Sequence, residues 1–207
     1  MTKRHKWQVD IPDGENGAWR IDTVTVDDKA SELTRLRAMI NGHGRYTPPG
    51  EYKMLYRNGT LVMSDTPDEC RDHHAVIYEA KGHVLIAGLG IGMVLKAVAS
   101  KPEVTKVTVI ELSQDLIDLV WPHYEAEFGE KIEVICADIM EWKPAKGTKY
   151  DVAWFDIWDT ICGDNIDEMS TLHRRYGKRA DWKGSWCHYE VKREVRLNKE
   201  HERNWRV

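Results

Sequence analysis

Val84-Leu85-Ile86-Ala87-Gly88-Leu89-Gly90-Ile91-Gly92 is an apolar run that breaks into a G-x-G-x-G turn. The run predicts a buried strand over 83–87, and the residues that follow predict a helix over 92–100, closed by Pro102. A strand, a glycine turn and a helix in that order are the context in which a short glycine motif signals a nucleoside ligand. Side chains at those positions would hold such a ligand away from the backbone. The alternation continues downstream. Strands are expected over 106–111, 131–136 and 151–156. A helix over 113–121 has Ser113 as its cap and Pro122 as its stop. A helix over 165–176 opens on the capping-box-like pair Asn165 and Glu168 and ends at Gly177. Short apolar strands joined by helices predict an α/β fold with a mostly parallel sheet covered on both faces.

Three strand ends carry acids. Glu111 lies 23 residues after Gly88 and can accept hydrogen bonds from ribose hydroxyls. Asp138 follows the third strand, where a carboxylate can accept from an adenine amino group, and Asp156 ends the fourth. Each acid alone is an ordinary polar residue at a strand end, and the glycine turn alone can be packing. Together they predict a nucleoside-cofactor site lined by Gly88, Gly90, Gly92, Glu111 and Asp138. The third glycine arrives one residue too early for the dinucleotide pattern G-x-G-x-x-G.

The stretch instead resembles motif I of class I S-adenosylmethionine-dependent enzymes, and within them the spermidine synthase-like branch. Typical methyltransferases carry an acid two residues before the first glycine. Here Ile86 stands there, as in spermidine synthases. The acidic segment 61–72 before the glycine loop and the Asp-x-x-Asp motif Asp156-Ile157-Trp158-Asp159 also match that branch. The resemblance spans about residues 52–170. It implies a Rossmann-like core, S-adenosylmethionine or its decarboxylated form as cofactor, and Asp156 and Asp159 at the reacting end. Two departures shift the expected chemistry toward methyl transfer. Ile91 replaces the aspartate that meets the ammonium of the decarboxylated donor, and Thr160 replaces a proline. The favoured expectation is methyl transfer to a small amine-bearing acceptor. The alternatives are aminopropyl transfer and a non-catalytic nucleoside-binding or interaction protein.

The acids at 151, 156, 159, 164, 167 and 168 suit a cationic substrate, although the last three also suit a helix N-terminus. Alternation along the strand puts Trp154 on the Asp156 face and makes it the aromatic candidate for the cofactor pocket, with core packing as the competing role. His73 and His74 lack the spacing of helical metal ligands, so no metal is expected, and His74 is the one placed to reach the site's mouth.

The remainder of the chain frames this core. Residues 1–20 read as a polar tail, 31–40 as a short helix stopped by Gly42, and 52–56 with 60–64 as a hairpin turned by Asn58-Gly59. One helix is expected over 68–80. After Gly177 a short edge strand over 184–191 and a solvated helix or tail over 192–207 are expected. These divide the chain into 1–50 (tail and helix), 51–177 (hairpin and cofactor-binding domain) and 178–207 (basic extension). The sheet is therefore expected to be short at its C-terminal side.

The chain has 207 residues, 42% apolar and 31% charged, enough for one core of its own and too apolar for a disordered chain. No stretch approaches the roughly 20 apolar residues that cross a bilayer. The four cysteines form no C-x-x-C pair and read as reduced thiols, pointing to a cytoplasmic protein. Residues 1–170 carry 19 basic and 29 acidic side chains, and 171–207 carry 11 and 5. The basic groups alternate with glutamates, which argues against nucleic acid and for contact between subunits of a homo-oligomer.

Overall fold

A computed structural model describes residues 6–41 and 45–205. Residues 1–5 and 206–207 lie outside the described residues, as does Gly42, the expected helix stop. An N-terminal unit runs β1 (Gly14–Asn16), β2 (Trp19–Val26), α1 (Asp28–Asn41), β3 (Gly50–Arg57) and β4 (Thr60–Ser64). Two short helices follow, α2 (Pro67–Asp72) and α3 (His74–Glu79). The core then runs β5 (Gly82–Ala87), α4 (Met93–Ala99), β6 (Val104–Glu111), α5 (Gln114–Val120), α6 (Pro122–Phe128), β7 (Ile132–Cys136) and β8 (Tyr150–Phe155). It closes with α7 (Asn165–Tyr176), β9 (Ala180–Ser185) and α8 (His188–Trp205).

The core sheet has five parallel strands in the order β7-β6-β5-β8-β9. This is an α/β, Rossmann-like architecture. Its central strand shows why the apolar run of the glycine stretch is continuous. Val84 and Ile86 enter one apolar cluster, Leu85 and Ala87 the other, and all four are buried. A strand covered on both faces has no solvent side to alternate with. The chain order reverses at β5, with β6 on one side and β8 on the other, and the ligand crevice of an open α/β sheet lies at that switch point.

The N-terminal residues differ from the expected polar tail. Trp19–Val26 alternates buried and exposed residues and pairs with β3 over eight positions, from Trp19 opposite Arg57 to Val26 opposite Gly50. β1 to β4 form one four-stranded antiparallel sheet, so the boundary drawn at residue 50 falls at the start of β3, inside it. The Asn58-Gly59 turn is formed, with both residues at positive φ.

Other boundaries shift for local reasons. The helix expected over 68–80 is broken at His73 into α2 and α3. α5 ends at Val120, ahead of Pro122 as expected, and Pro122 also opens α6, because proline fits the first helical position, where no N–H is required. Asn165 and Glu168 do not form a capping box. Asn165 donates to the Thr160 carbonyl (2.7 Å), and Glu168 accepts from Trp158 Nε1 (2.7 Å). The strand expected over 184–191 lies earlier, at β9, and α8 begins at His188. Among the described residues β9 is the outer strand beside β8, with β7 at the opposite edge, and no helix is long and apolar enough to cross a membrane.

Ser113 caps α5 by accepting from Leu116 N (3.3 Å), and its hydroxyl oxygen also accepts from the Trp19 indole N–H (2.8 Å). One side chain thus closes a core helix and ties the N-terminal sheet to it. Ser113→Ala removes the cap and strands the N–H of a buried tryptophan. A loss of about 1–2 kcal/mol is expected in urea unfolding. An unchanged midpoint would show that the two units are held together elsewhere.

Candidate active site

A cavity opens at the carboxyl ends of β5, β6 and β8, roofed by the N-terminal sheet. It spans about 940 Å³ counting the open space at its mouth. Gly88, Gly90, Glu111, Asp138, Asp156 and Asp159 all line it. Residues spread over some seventy positions in the chain are gathered because parallel strands deliver their ends to one edge.

The glycines answer first to the protein's own atoms. A Cβ on Gly88 would lie 1.9 Å from the Asp156 carbonyl oxygen, and one on Gly92 would lie 2.2 Å from the Tyr124 ring. Both residues are at positive φ, where side chains are strained. The turn is tight because β5 and β8 meet just beyond it, and Gly92 lies behind the turn at the start of α4, not on the cavity wall.

Glu111 is buried and both of its oxygens are engaged. Oε2 accepts from Leu89 N and Oε1 from Ser113 N, each at 2.9 Å. The carboxylate thereby pins the glycine loop to the end of β6. Each oxygen keeps a further lone pair for a hydroxyl in the cavity. Asp138 accepts from Met140 N through Oδ1 (2.7 Å), and its second oxygen is uncommitted by that turn. Ile110, Leu112, Leu116, Ala137 and Ile139 supply apolar walls between the two acids. A nucleoside fits this set, with apolar walls for a base and carboxylates for hydroxyl and amino groups.

At the other end, Asp156 stands in an acidic neighbourhood. Burial raises its pKa well above the carboxylate range, and Glu69, Asp72 and Glu111 push the same way. Glu69, on α2, also lines the cavity. Burial pushes it up to about 7 against the pull of Arg45, which pairs with it at 3.0 Å and also with Asp72. His73 is buried without a hydrogen-bond partner on either ring nitrogen, and its Nε2 lies 3.7 Å from Asp156 Oδ2. Burial, then Arg45, holds its pKa down to about 3, so the ring is neutral.

The structure differs from three expectations. Trp154 does not line the cavity. It is buried beneath it with Val152 in the core cluster on that face, 6.3 Å from the stacked Trp182 ring and 5.8 Å from His73. Alternation chose its face correctly but carries no information about depth. The aromatic rings that do reach the cavity are Trp19, Trp158 and Trp186. Asp159 lines the cavity but is no free carboxylate, because it is ion-paired with Arg57 of β3, 102 residues away. His74 packs against Trp7 (ring centroids 4.7 Å), and His73 is the histidine that faces Asp156. Arg57 and Glu69 were not expected at the site, although the acidic segment 61–72 covers Glu69, and His73 was weighed only as a metal ligand.

No family model matches the chain. In sequence it is 32% identical over 119 residues to polyamine aminopropyltransferase 2 of Ralstonia nicotianae, covering 51% of this chain and 23% of that protein. It is 25% identical over 142 residues to polyamine aminopropyltransferase 2 of Caldanaerobacter subterraneus, covering 62% of this chain and 48% of that one. The chain thus spans less than half the length of these relatives. Among solved structures it is similar to spermidine synthase from Thermotoga maritima, at 15% identity and a TM-score of 0.47, covering 82% of this chain and 52% of that one. It is also similar to the CcbJ methyltransferase from Streptomyces caelestis, at 19% identity and a TM-score of 0.43, covering 55% and 45%. The sequence matches fall in the branch whose glycine loop and Asp-x-x-Asp motif this chain resembles.

The raised pKa of Glu69 sets a pH dependence. The folded chain keeps this proton up to about 7, while the unfolded chain releases it near 4.5. Between those values folding takes up a proton, so stability falls as pH rises and this contribution levels off above 7. In Glu69→Gln that part of the slope is expected to vanish, a relative gain of the order of 3 kcal/mol at neutral pH. Urea melts from pH 4.5 to 8 measure it, and parallel profiles for the two proteins would contradict the assignment.

Proposed function

We propose that this cavity binds an S-adenosylmethionine-type donor and that the chain transfers a methyl group from it to a small amine-bearing acceptor. The observation that carries this reading is Asp156, a desolvated carboxylate at the cavity's acidic end, on the same sheet edge as the Glu111–glycine-loop cradle. Glu111 would hold the ribose and Asp138 the adenine. When bound, such a donor supplies a sulfonium-activated carbon, and the amine nitrogen forms its new N–C bond as the S–C bond breaks and its electron pair leaves on sulfur.

The protein's part is to bind, orient and move one proton. An aliphatic amine arrives as an ammonium, with a pKa of about 10, and must lose a proton to become a nucleophile. Asp156 is the acceptor for that proton. Burial and the neighbouring acids favour the protonated form. A cation beside it offsets their repulsion and favours the carboxylate, so the charge of the ligands themselves readies the base. Glu69 ionises near 7 and adds a second anchor for a cationic acceptor. Trp158, Trp19 and Trp186 shield the carboxylates from water and offer π faces to positive charge.

Aminopropyl transfer from the decarboxylated donor is the second reading, favoured by the sequence similarity to polyamine aminopropyltransferases. The glycine loop argues against it. Ile91 is fully buried, and its carbonyl accepts from the Tyr124 hydroxyl at 2.8 Å, so no acid in the loop meets the donor's ammonium.

Calorimetry with both donors tests the choice. Intact S-adenosylmethionine is expected to bind about tenfold or more tightly than the decarboxylated form. The reverse order would favour aminopropyl transfer, and binding of neither would favour a non-catalytic interaction protein. Asp156→Asn should leave donor affinity within about threefold while lowering transfer to any accepting amine by about a hundredfold or more. Undiminished turnover in that variant would remove Asp156 from the chemistry.

A further inference from the structure

We propose that the Arg57–Asp159 ion pair is a recognition element for an amino-carboxylate group, an ammonium and a carboxylate on the same carbon. The proposal rests on the donor reading above and adds to it the class of ligand group that this end of the cavity selects.

The cavity's charges are lopsided. Glu69, Glu111, Asp138, Asp156 and Asp159 line it, and Arg57 is the one Lys or Arg among the described residues that does. Acids alone would suit a polyamine, and an arginine in their midst does not. Arg57 is also held in place. It pairs with Asp159, and its guanidinium carbon lies 5.5 Å from the centroid of the Trp19 ring. Trp19 in turn is fixed through its indole N–H to Ser113 (2.8 Å). The guanidinium is therefore presented as a planar fork. It has five N–H donors, more than one carboxylate can accept from, and its side chain is 46% exposed.

Charge balance then discriminates between ligands. A bare ammonium that reaches Asp159 must draw it away from Arg57 and leaves two cations side by side with one carboxylate between them. An amino-carboxylate can exchange partners instead. Its ammonium takes Asp159, its carboxylate takes the fork of Arg57, and every charge remains paired. The same chemistry can come from two sources, the amino-acid tail of the intact donor or an amino acid that serves as acceptor.

The test uses the full chain and the variants Arg57→Gln and Arg57→Lys, with thermal melts as the check on folding. Both donors are titrated calorimetrically. The twenty free amino acids are then screened by thermal shift with S-adenosylhomocysteine bound. If the donor's tail is the ligand, Arg57→Gln weakens intact S-adenosylmethionine about tenfold or more and leaves the decarboxylated form within about twofold. If the acceptor is the ligand, both donors bind as before, and the shift given by an amino acid in the wild type is lost in Arg57→Gln. In either case Arg57→Lys, which keeps the charge without the fork, falls in between, and it carries the test if Arg57→Gln does not fold. Donor binding that is unchanged in both variants, together with no amino-acid effect that depends on Arg57, overturns the proposal and leaves the donor reading standing. Binding of neither donor to the wild type overturns both.

Discussion

The backbone of Asp156 passes so close to Gly88 that a single side-chain carbon there would fall 1.9 Å from its carbonyl oxygen. The contact joins the two strands that flank the switch point, and hydrogen bonds fix it from both sides. Gly88 N donates to the Ile110 carbonyl (2.9 Å), and Asp156 N donates to the Ala87 carbonyl (2.8 Å). Three strand ends are thereby locked into one edge. The cavity, the placement of Asp156 and the cradle at Glu111 all follow from that convergence. A glycine that reads as room for a ligand is first of all room for the protein's own chain.

Glu111 shows how one residue serves both structure and binding. Its carboxylate accepts two backbone N–H groups, an arrangement that orients it without any ligand. The cradle is therefore formed in advance, and little ordering remains to be done on binding. The opposite end of the cavity is arranged differently. Burial raises the pKa of Asp156, Glu69 and Asp72, Glu69 and Asp72 add to the rise at Asp156, and Arg45 offsets part of the rise at Glu69 and Asp72. One end is fixed in geometry and the other is poised in charge, which suits a site where a nucleoside is held still while a proton moves.

The parallel core was legible because its strands are buried on both faces and write continuous apolar runs, such as Val84 to Ala87, punctuated by Gly and Pro. What escaped reading has specific causes. Trp19–Val26 alternates well enough to be a strand, but its partner β3 lies beyond a whole helix, and pairing at that distance leaves no local mark. Pro122 carries one signal for two events, the end of α5, which was expected, and the start of α6, which was not. In the cavity, Gly88, Glu111, Asp138 and Asp156 were readable because each ends a strand. The state of Asp159 was not, because its partner Arg57 stands 102 residues earlier. Trp154 marks a related limit, since the pattern tells which face a residue takes and the packing above it decides whether it reaches the surface.

The most direct measurement is a crystal structure of the chain grown with S-adenosylmethionine. The ribose hydroxyls are predicted within hydrogen-bond distance of Glu111, the adenine amino group at Asp138, and the sulfonium at the Asp156 end of the cavity. A donor bound elsewhere, or turned so that its ribose faces Asp156 and its sulfonium faces Glu111, would contradict the account.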